Sequence, residues 1–150
     1  MEYLRDATER DIDLLFDWAN ETSVRAASFN SHEIAYEEHK KWFKDLLSRD
    51  DAKQYIFVQG NEPIGQIRIY VNDTEAEIGY SICAEKRGTG YGKEMISLLV
   101  EQMKKDFPKV KKLTAKVKPG NAASQKVFLD IGYVEKYRFY ELEIDKIENG

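Results

Sequence analysis

Six residues near the middle of the chain, Arg87-Gly88-Thr89-Gly90-Tyr91-Gly92, constrain the fold more than any other stretch. Before them, Ile78, Tyr80 and Ile82 alternate with Glu77, Gly79 and Ser81, which is the period of a strand. After them, Met95, Leu98, Leu99, Met103 and Phe107 recur at helical spacing until Pro108 stops the run. A strand, a glycine loop and a helix in that order set unpaired N–H groups and the positive end of a helix dipole beside a backbone that an anion can approach closely. Arg87 and Lys93 add positive charge at either end, so the stretch is expected to cradle a phosphate. It is not a Walker A loop, because no glycine lies five positions before Gly92 and Glu94 follows Lys93. It is not G-x-G-x-x-G either, since the glycines fall at 88, 90 and 92.

Strands and helices alternate around this centre. Residues 2–7 have strand character, and Thr8-x-x-Asp11 forms a capping box ahead of Ile12, Leu15, Phe16 and Ala19 at helical spacing. A short helix is expected at about 24–28. A longer one is expected from about 32 to 47, with Tyr36, His39, Phe43, Leu46 and Leu47 on one face. The apolar run 55–58 suggests a central strand covered on both faces. Turns at 60–63 and 72–73 separate it from two further strands, the first marked by Ile67, Ile69 and Val71. Leu113, Ala115 and Val117 mark another strand. Asn121 is a suitable N-cap for a helix carrying Ser124, Val127, Phe128 and Ile131, which Gly132 ends. Two short strands are expected to finish the chain, the last with Tyr140, Leu142 and Ile144 on one face. The sum is about seven strands and four helices in one domain over 1–150. The tight turns at 53–82 predict an α+β fold with a mixed, mostly antiparallel sheet rather than a doubly wound one.

Composition narrows the partners. With 42% hydrophobic and 33% charged residues the chain is expected to fold as a soluble globule. No apolar run approaches the roughly 20 residues of a membrane span, so no membrane partner is expected. A single cysteine, Cys83, and an N-terminus without an apolar h-region imply a reducing, cytoplasmic setting. A net charge of −4 argues against nucleic acid as a partner. His32, His39 and Cys83 show no metal-ligand spacing, and no histidine lies near Cys83 in sequence to activate it as a nucleophile.

The loop matches the pattern R/Q-x-x-G-x-G/A, and Ala76-Glu77-Ile78-Gly79-Tyr80-Ser81-Ile82 precedes it. Asn121-Ala122-Ala123-Ser124 and Gly132-Tyr133 follow. In these motifs, their order and their spacing, the chain resembles the GNAT acyltransferases over nearly its whole length. That resemblance implies acetyl-coenzyme A as the donor and a primary amine on a small molecule as the acceptor. It implies that backbone amides from Arg87 through Gly88, Thr89, Gly90, Tyr91 and Gly92 to Lys93 hold the pyrophosphate. The backbone of Ile82 and Cys83 would pair with the pantetheine arm as an added strand does. Asn121 and Ser124 would hydrogen-bond the arm near the thioester.

Glu77 is the candidate general base, at a position where some family members carry a glutamate. Many members place a tyrosine seven residues after the motif asparagine as proton donor to the leaving thiolate. Here that position is Phe128, so Ser124, Tyr133 and Tyr137 are the candidate substitutes.

The acceptor region is expected from the first two helices and their connection, with Trp18, Asn20, Arg25, Phe29, His39 and Trp42 as its residues. Arg25 could grip a phosphate or carboxylate, and the tryptophans could stack on a base or sugar ring. Trp18-Ala19-Asn20, Val24-Arg25, Ser28-Phe29-Asn30, Glu38-His39, Trp42-Phe43 and Gly65-Gln66-Ile67-Arg68 resemble one GNAT branch. That branch acetylates UDP-linked 4-amino-4,6-dideoxy sugars on the route to pseudaminic acid, which also places Arg68 at the acceptor. Two alternatives stand beside it: a ribosomal-protein or peptide N-terminal acetyltransferase, and a coenzyme A-binding sensor without catalysis. The oligomeric state is open, although a last strand bearing Tyr140, Leu142 and Ile144 could pair across a homodimer.

Overall fold

The computed structural model describes residues 1–146. Its five strands are β1 (Glu2–Asp6), β2 (Ala52–Gln59), β3 (Glu62–Asn72), β4 (Glu75–Ile82) and β5 (Lys112–Ala115). They form one sheet in the order β1-β2-β3-β4-β5. The first four pair antiparallel, and β5 joins β4 in parallel. The five α-helices are α1 (Ile12–Ala19), α2 (Thr22–Ala27), α3 (Tyr36–Ser48), α4 (Tyr91–Asp106) and α5 (Ala122–Asp130).

Side chains alternate across the sheet, and this divides the core in two. Tyr55 and Phe57 of β2, with Ile67, Ile69, Ala76 and Ile78, pack under Met95, Ile96, Leu99 and Met103 of α4 and Phe128 of α5. Ile56 and Val58 point the other way, to Ile12 and Leu15 of α1 and Phe43 and Leu46 of α3. The expected two-sided coverage of 55–58 is therefore present, although β2 is second from the sheet edge. Thr8 forms the expected capping box on the 3-10 turn Glu9–Asp11 that runs into α1, with its own N–H donating to Asp11 Oδ2 at 2.8 Å. Arg5 clamps the same carboxylate through two bonds of 2.8 and 2.9 Å.

Two expectations fail. The third helix begins at Tyr36, not near 32, because 28–35 is held in an irregular path. Asn20 Nδ2 donates to Ile34 O at 2.9 Å and Asn20 Oδ1 accepts from Ile34 N at 2.8 Å, while Arg25 reaches the carbonyls of Asn30 and His32. Among the described residues the strands number five rather than seven, and the α-helices five rather than four. Beyond Gly132 no residue described joins the sheet, and Ile144–Lys146 is a single 3-10 turn. Tyr140, Leu142 and Ile144 lie 72–83% exposed, so their alternation meets neither a partner strand nor a core among the described residues.

Candidate functional site: a cavity at the split between two strands

The ladder between β4 and β5 ends at Ile78–Ala115, yet β4 continues to Ile82. Past Ile78 no strand among the described residues covers its outer edge. Backbone groups on a strand point alternately to either side. Cys83 N–H donates inward to Ile64 O at 2.8 Å, so Tyr80 and Ile82 present theirs outward. Arg87 Nε caps the Ile82 carbonyl at 2.9 Å. The N–H and C=O of Tyr80 and the N–H of Ile82 remain on the open edge. This corrects the expectation for Cys83: its amide is already taken by β3, and its side chain does not line the cavity described below.

The open edge runs into the glycine loop. Gly88 and Gly90 have φ of +78° and +89°, and no side-chain cap occupies the start of α4. Glu94 N–H bonds to Gly90 O, so Tyr91, Gly92 and Lys93 carry the orphan amides of the first turn. The residues present fit an anion bound by backbone. The two cations expected at the loop are partly committed elsewhere. Arg87 Nη2 holds Glu21 Oε2 at 2.9 Å, tying the loop to the first turn of α2, and Lys93 pairs with Asp130 at 2.8 Å. The Thr89 hydroxyl turns back to Lys86 O and does not line the cavity.

A cavity of about 1400 Å³ connects this loop with the first three helices. Its wall includes Ile82, Arg87, Gly88, Gly90, Tyr91, Gly92 and Lys93 together with Asn121, Ser124 and Phe128 of the α5 segment. From the other side come Trp18, Arg25, Phe29, His39 and Trp42, with Arg68 and Glu77 from the sheet. Asn121 Oδ1 caps α5 by accepting from Ser124 N at 3.2 Å. Glu77 is 44% exposed and pairs with Lys116 Nζ at 3.4 Å.

Several expected contributors hold the cavity's shape instead of facing its interior. Asn20 lies off the wall with both ends of its amide spent on Ile34. Arg25 lines the cavity, but its donors go to Ala19 O, Asn30 O, His32 O and Ser28 Oγ, so it braces α2 and the loop after it. His39 is buried, stacks on Phe43 and meets Ile12 O at 3.0 Å; burial holds its pKa below the usual imidazole value. Tyr133 is outside the wall. Its hydroxyl is buried without a partner beside Phe128, and burial pushes its pKa up to about 12. Tyr137 is 75% exposed and likewise absent from the wall.

One hydroxyl on the cavity wall was missed from the sequence. The Tyr80 hydroxyl lies 2.9 Å from Ser124 Oγ, on the cavity wall, with its ring edge-on to Phe128. Burial raises its pKa, and the bond to Ser124 opposes the rise only in part. In the alternation of Ile78, Tyr80 and Ile82 this residue reads as apolar core. A tyrosine on such a face still needs a partner for its hydroxyl, and that was the available signal.

Residues 3–134 match the family of acetyltransferase (GNAT) domains, and the chain belongs to it. No curated protein matches the sequence significantly. Among solved structures, the chain is similar to a spermidine N-acetyltransferase from Vibrio cholerae in complex with coenzyme A and spermine. The two share 16% identity over 91% of this chain and 82% of that one, with a TM-score of 0.82. The aminoglycoside acetyltransferase AAC(6')-Ib, in complex with ribostamycin and coenzyme A, superposes at a TM-score of 0.79, with 20% identity over 90% and 84% of the two chains. RimL, a ribosomal L7/L12 α-N-protein acetyltransferase in complex with coenzyme A, gives 0.74, with 20% identity over 86% and 77%. At these identities the likeness carries the fold. Among the described residues no helix is long and apolar enough to cross a membrane, and no cluster of histidine, cysteine and acidic side chains could hold a metal ion.

Proposed function

We propose that the chain transfers an acetyl group from acetyl-coenzyme A to a primary amine by direct attack in a ternary complex. The observation that carries this is the uncovered edge of β4 at Tyr80 and Ile82, followed after the 3-10 turn Ala84–Lys86 and the glycine loop by the uncapped amides at the start of α4, all on one cavity wall. An extended amide chain fits the edge and its pyrophosphate fits the helix end. When bound, the donor supplies a thioester carbonyl, and its thiol is the leaving group. Glu77 removes a proton from the acceptor ammonium, whose pKa of about 10 keeps it unreactive at neutral pH. The Tyr80–Ser124 hydroxyl pair returns a proton to the departing sulfur, in place of the tyrosine that Phe128 replaces. Most of the acceleration comes from holding amine and thioester in line within one cavity.

For the acceptor we infer a UDP-linked 4-amino sugar. Trp18, Trp42 and Phe29 on the cavity wall give aromatic surface for a ring, and the sequence in this region resembles the branch that uses such sugars. The three solved relatives named above act on three different amine classes by their descriptions, so the acceptor has to be read from this cavity itself. The deciding assay follows thiol release from acetyl-coenzyme A with the UDP-linked 4-amino-4,6-dideoxy sugar beside a peptide N-terminus and spermidine. Release with the sugar alone supports the whole reading. Release only with peptide or polyamine keeps the acetyl transfer and removes the sugar.

A further inference from the structure

Arg68 is the one arginine in the cavity wall whose guanidinium has no hydrogen-bond partner among the described residues. Arg5, Arg49, Arg87 and Arg138 each hold a carboxylate, and Arg25 makes four hydrogen bonds to three carbonyls and a serine. Arg68 Nε is fully buried with no partner. Its guanidinium carbon sits 5.0 Å from the Trp42 ring centre and 5.7 Å from that of Tyr70, so two aromatic faces fix where the planar fork lies. Directly opposite on β4 is Gly79, where a Cβ would come within 3.7 Å of Arg68 Nη2; the glycine leaves the sheet surface in front of the fork open. A buried cation without a counter-charge is costly, and a protein that keeps one in a cavity gains when an anion completes it.

The wall supports the same sign. Among the described residues its only carboxylates are Glu38 and Glu77, against seven lysines and arginines; Arg87, Lys93, Lys116 and Lys126 are ion-paired, which leaves Arg25, Arg68 and Lys86 without a carboxylate partner. Glu77 shares the sheet face with Arg68 and lies two residues along β4 from Gly79, about 7 Å at strand rise. A proton acceptor and an anion receptor thus stand one small molecule apart.

We propose that Arg68 is the anion-binding point of the acceptor subsite, so that the amine acetylated here carries a phosphate or carboxylate, and polycations are excluded. This deepens the acetyl-transfer reading and rests on it. Arg68 determines specificity through a bidentate, charge-assisted contact; it takes no part in the chemistry.

Two measurements separate this inference from the reaction itself. In the first, full-length protein saturated with coenzyme A, so that the glycine loop is filled, is titrated with inorganic phosphate and with acetate at constant ionic strength. Tryptophan fluorescence follows Trp42 against Arg68. A saturable change is expected in the wild type and is expected to vanish in Arg68→Met and weaken in Arg68→Lys, which keeps the charge without the fork. No saturable change, or one that survives in Arg68→Met, overturns the proposal. In the second, thiol release is compared for matched amines: glucosamine 6-phosphate against glucosamine, and β-alanine against its amide, with spermidine as the polycation. The anionic member of one pair should win by about tenfold to a hundredfold in kcat/KM, and the pair that shows it identifies phosphate or carboxylate. Arg68→Met should remove that preference while calorimetry finds its coenzyme A affinity intact. Equal use of both members, or a preference for spermidine, overturns the proposal. Anion binding without thiol release from any amine would remove the acetyl-transfer reading and leave the anion site standing.

Discussion

The two halves of the cavity are built differently. The half around β4, the glycine loop and the start of α4 is made of backbone: open amides on Tyr80 and Ile82, orphan amides on Tyr91, Gly92 and Lys93, and two glycines at positive φ. The half under α1, α2 and α3 is made of side chains: Trp18, Phe29, Trp42, Arg68 and a brace of Asn20 and Arg25. A backbone site follows from residues next to each other in the chain, and its donors do not depend on how distant side chains pair. A side-chain site depends on which donors the fold has already consumed. Arg25 and Arg68 make the point. Both line the cavity, and only the second is free.

The sharpest way to break this contrast is Gly90→Asp. A Cβ at Gly90 meets nothing within 4 Å, so the fold should survive at a strain of roughly 1 kcal/mol for the left-handed backbone. The carboxylate then competes for the amides, and coenzyme A affinity should drop by at least about a hundredfold in calorimetry. Unchanged affinity would take the loop out of the site.

Glu77→Gln comes next. Turnover of a primary amine should fall by about 10²-fold or more. The sign with pH is defined: below the amine's pKa the base is needed most, so the deficit should be largest there and shrink as pH rises towards it. A deficit that stays flat with pH would make Glu77 only the partner of Lys116.

Tyr80→Phe tests the hydroxyl that tertiary structure brought to the site. A thiol is far more acidic than an alcohol and leaves readily as its anion, so the loss in kcat should be modest, about tenfold, with coenzyme A affinity unchanged. Because burial raises the Tyr80 pKa, the phenol stays protonated across the neutral range, and the wild-type rate should show no break from it there. An undiminished kcat in the variant would assign the proton to solvent.

The smallest effect is expected from Tyr133→Phe. Its hydroxyl is buried and unpaired, so deleting it should leave turnover unchanged and raise stability, by up to about 1 kcal/mol in a denaturant titration. A fall in turnover would return Tyr133 to the catalytic set.

Local patterns carried much of the fold. The capping box at Thr8, the alternation along β3 and β4, the helix from the glycine loop to the proline and the Asn121 cap all involve residues within a few positions of one another. The last two strands did not form because alternation alone supplies no partner; Tyr140 and Leu142 alternate as a strand should and still lie exposed. The start of α3 was misplaced for a related reason, since Asn20 and Arg25 hold 30–34 from 5 to 14 residues upstream and no helix periodicity records that.

By itself the sequence determined the glycine loop and the uncapped amides at the start of α4, because glycine torsions and helix-end amides are set by neighbouring residues. It determined the two-sided burial of β2 for the same reason, as side-chain alternation is a property of one strand. Only the tertiary structure decided that β4 outruns β5 and leaves an open edge, that Tyr80 meets Ser124 across 44 residues, and that Arg68, not Arg25, keeps its guanidinium free. Those outcomes depend on which groups from distant segments reach each hydrogen-bonding partner first, and that competition is settled in three dimensions.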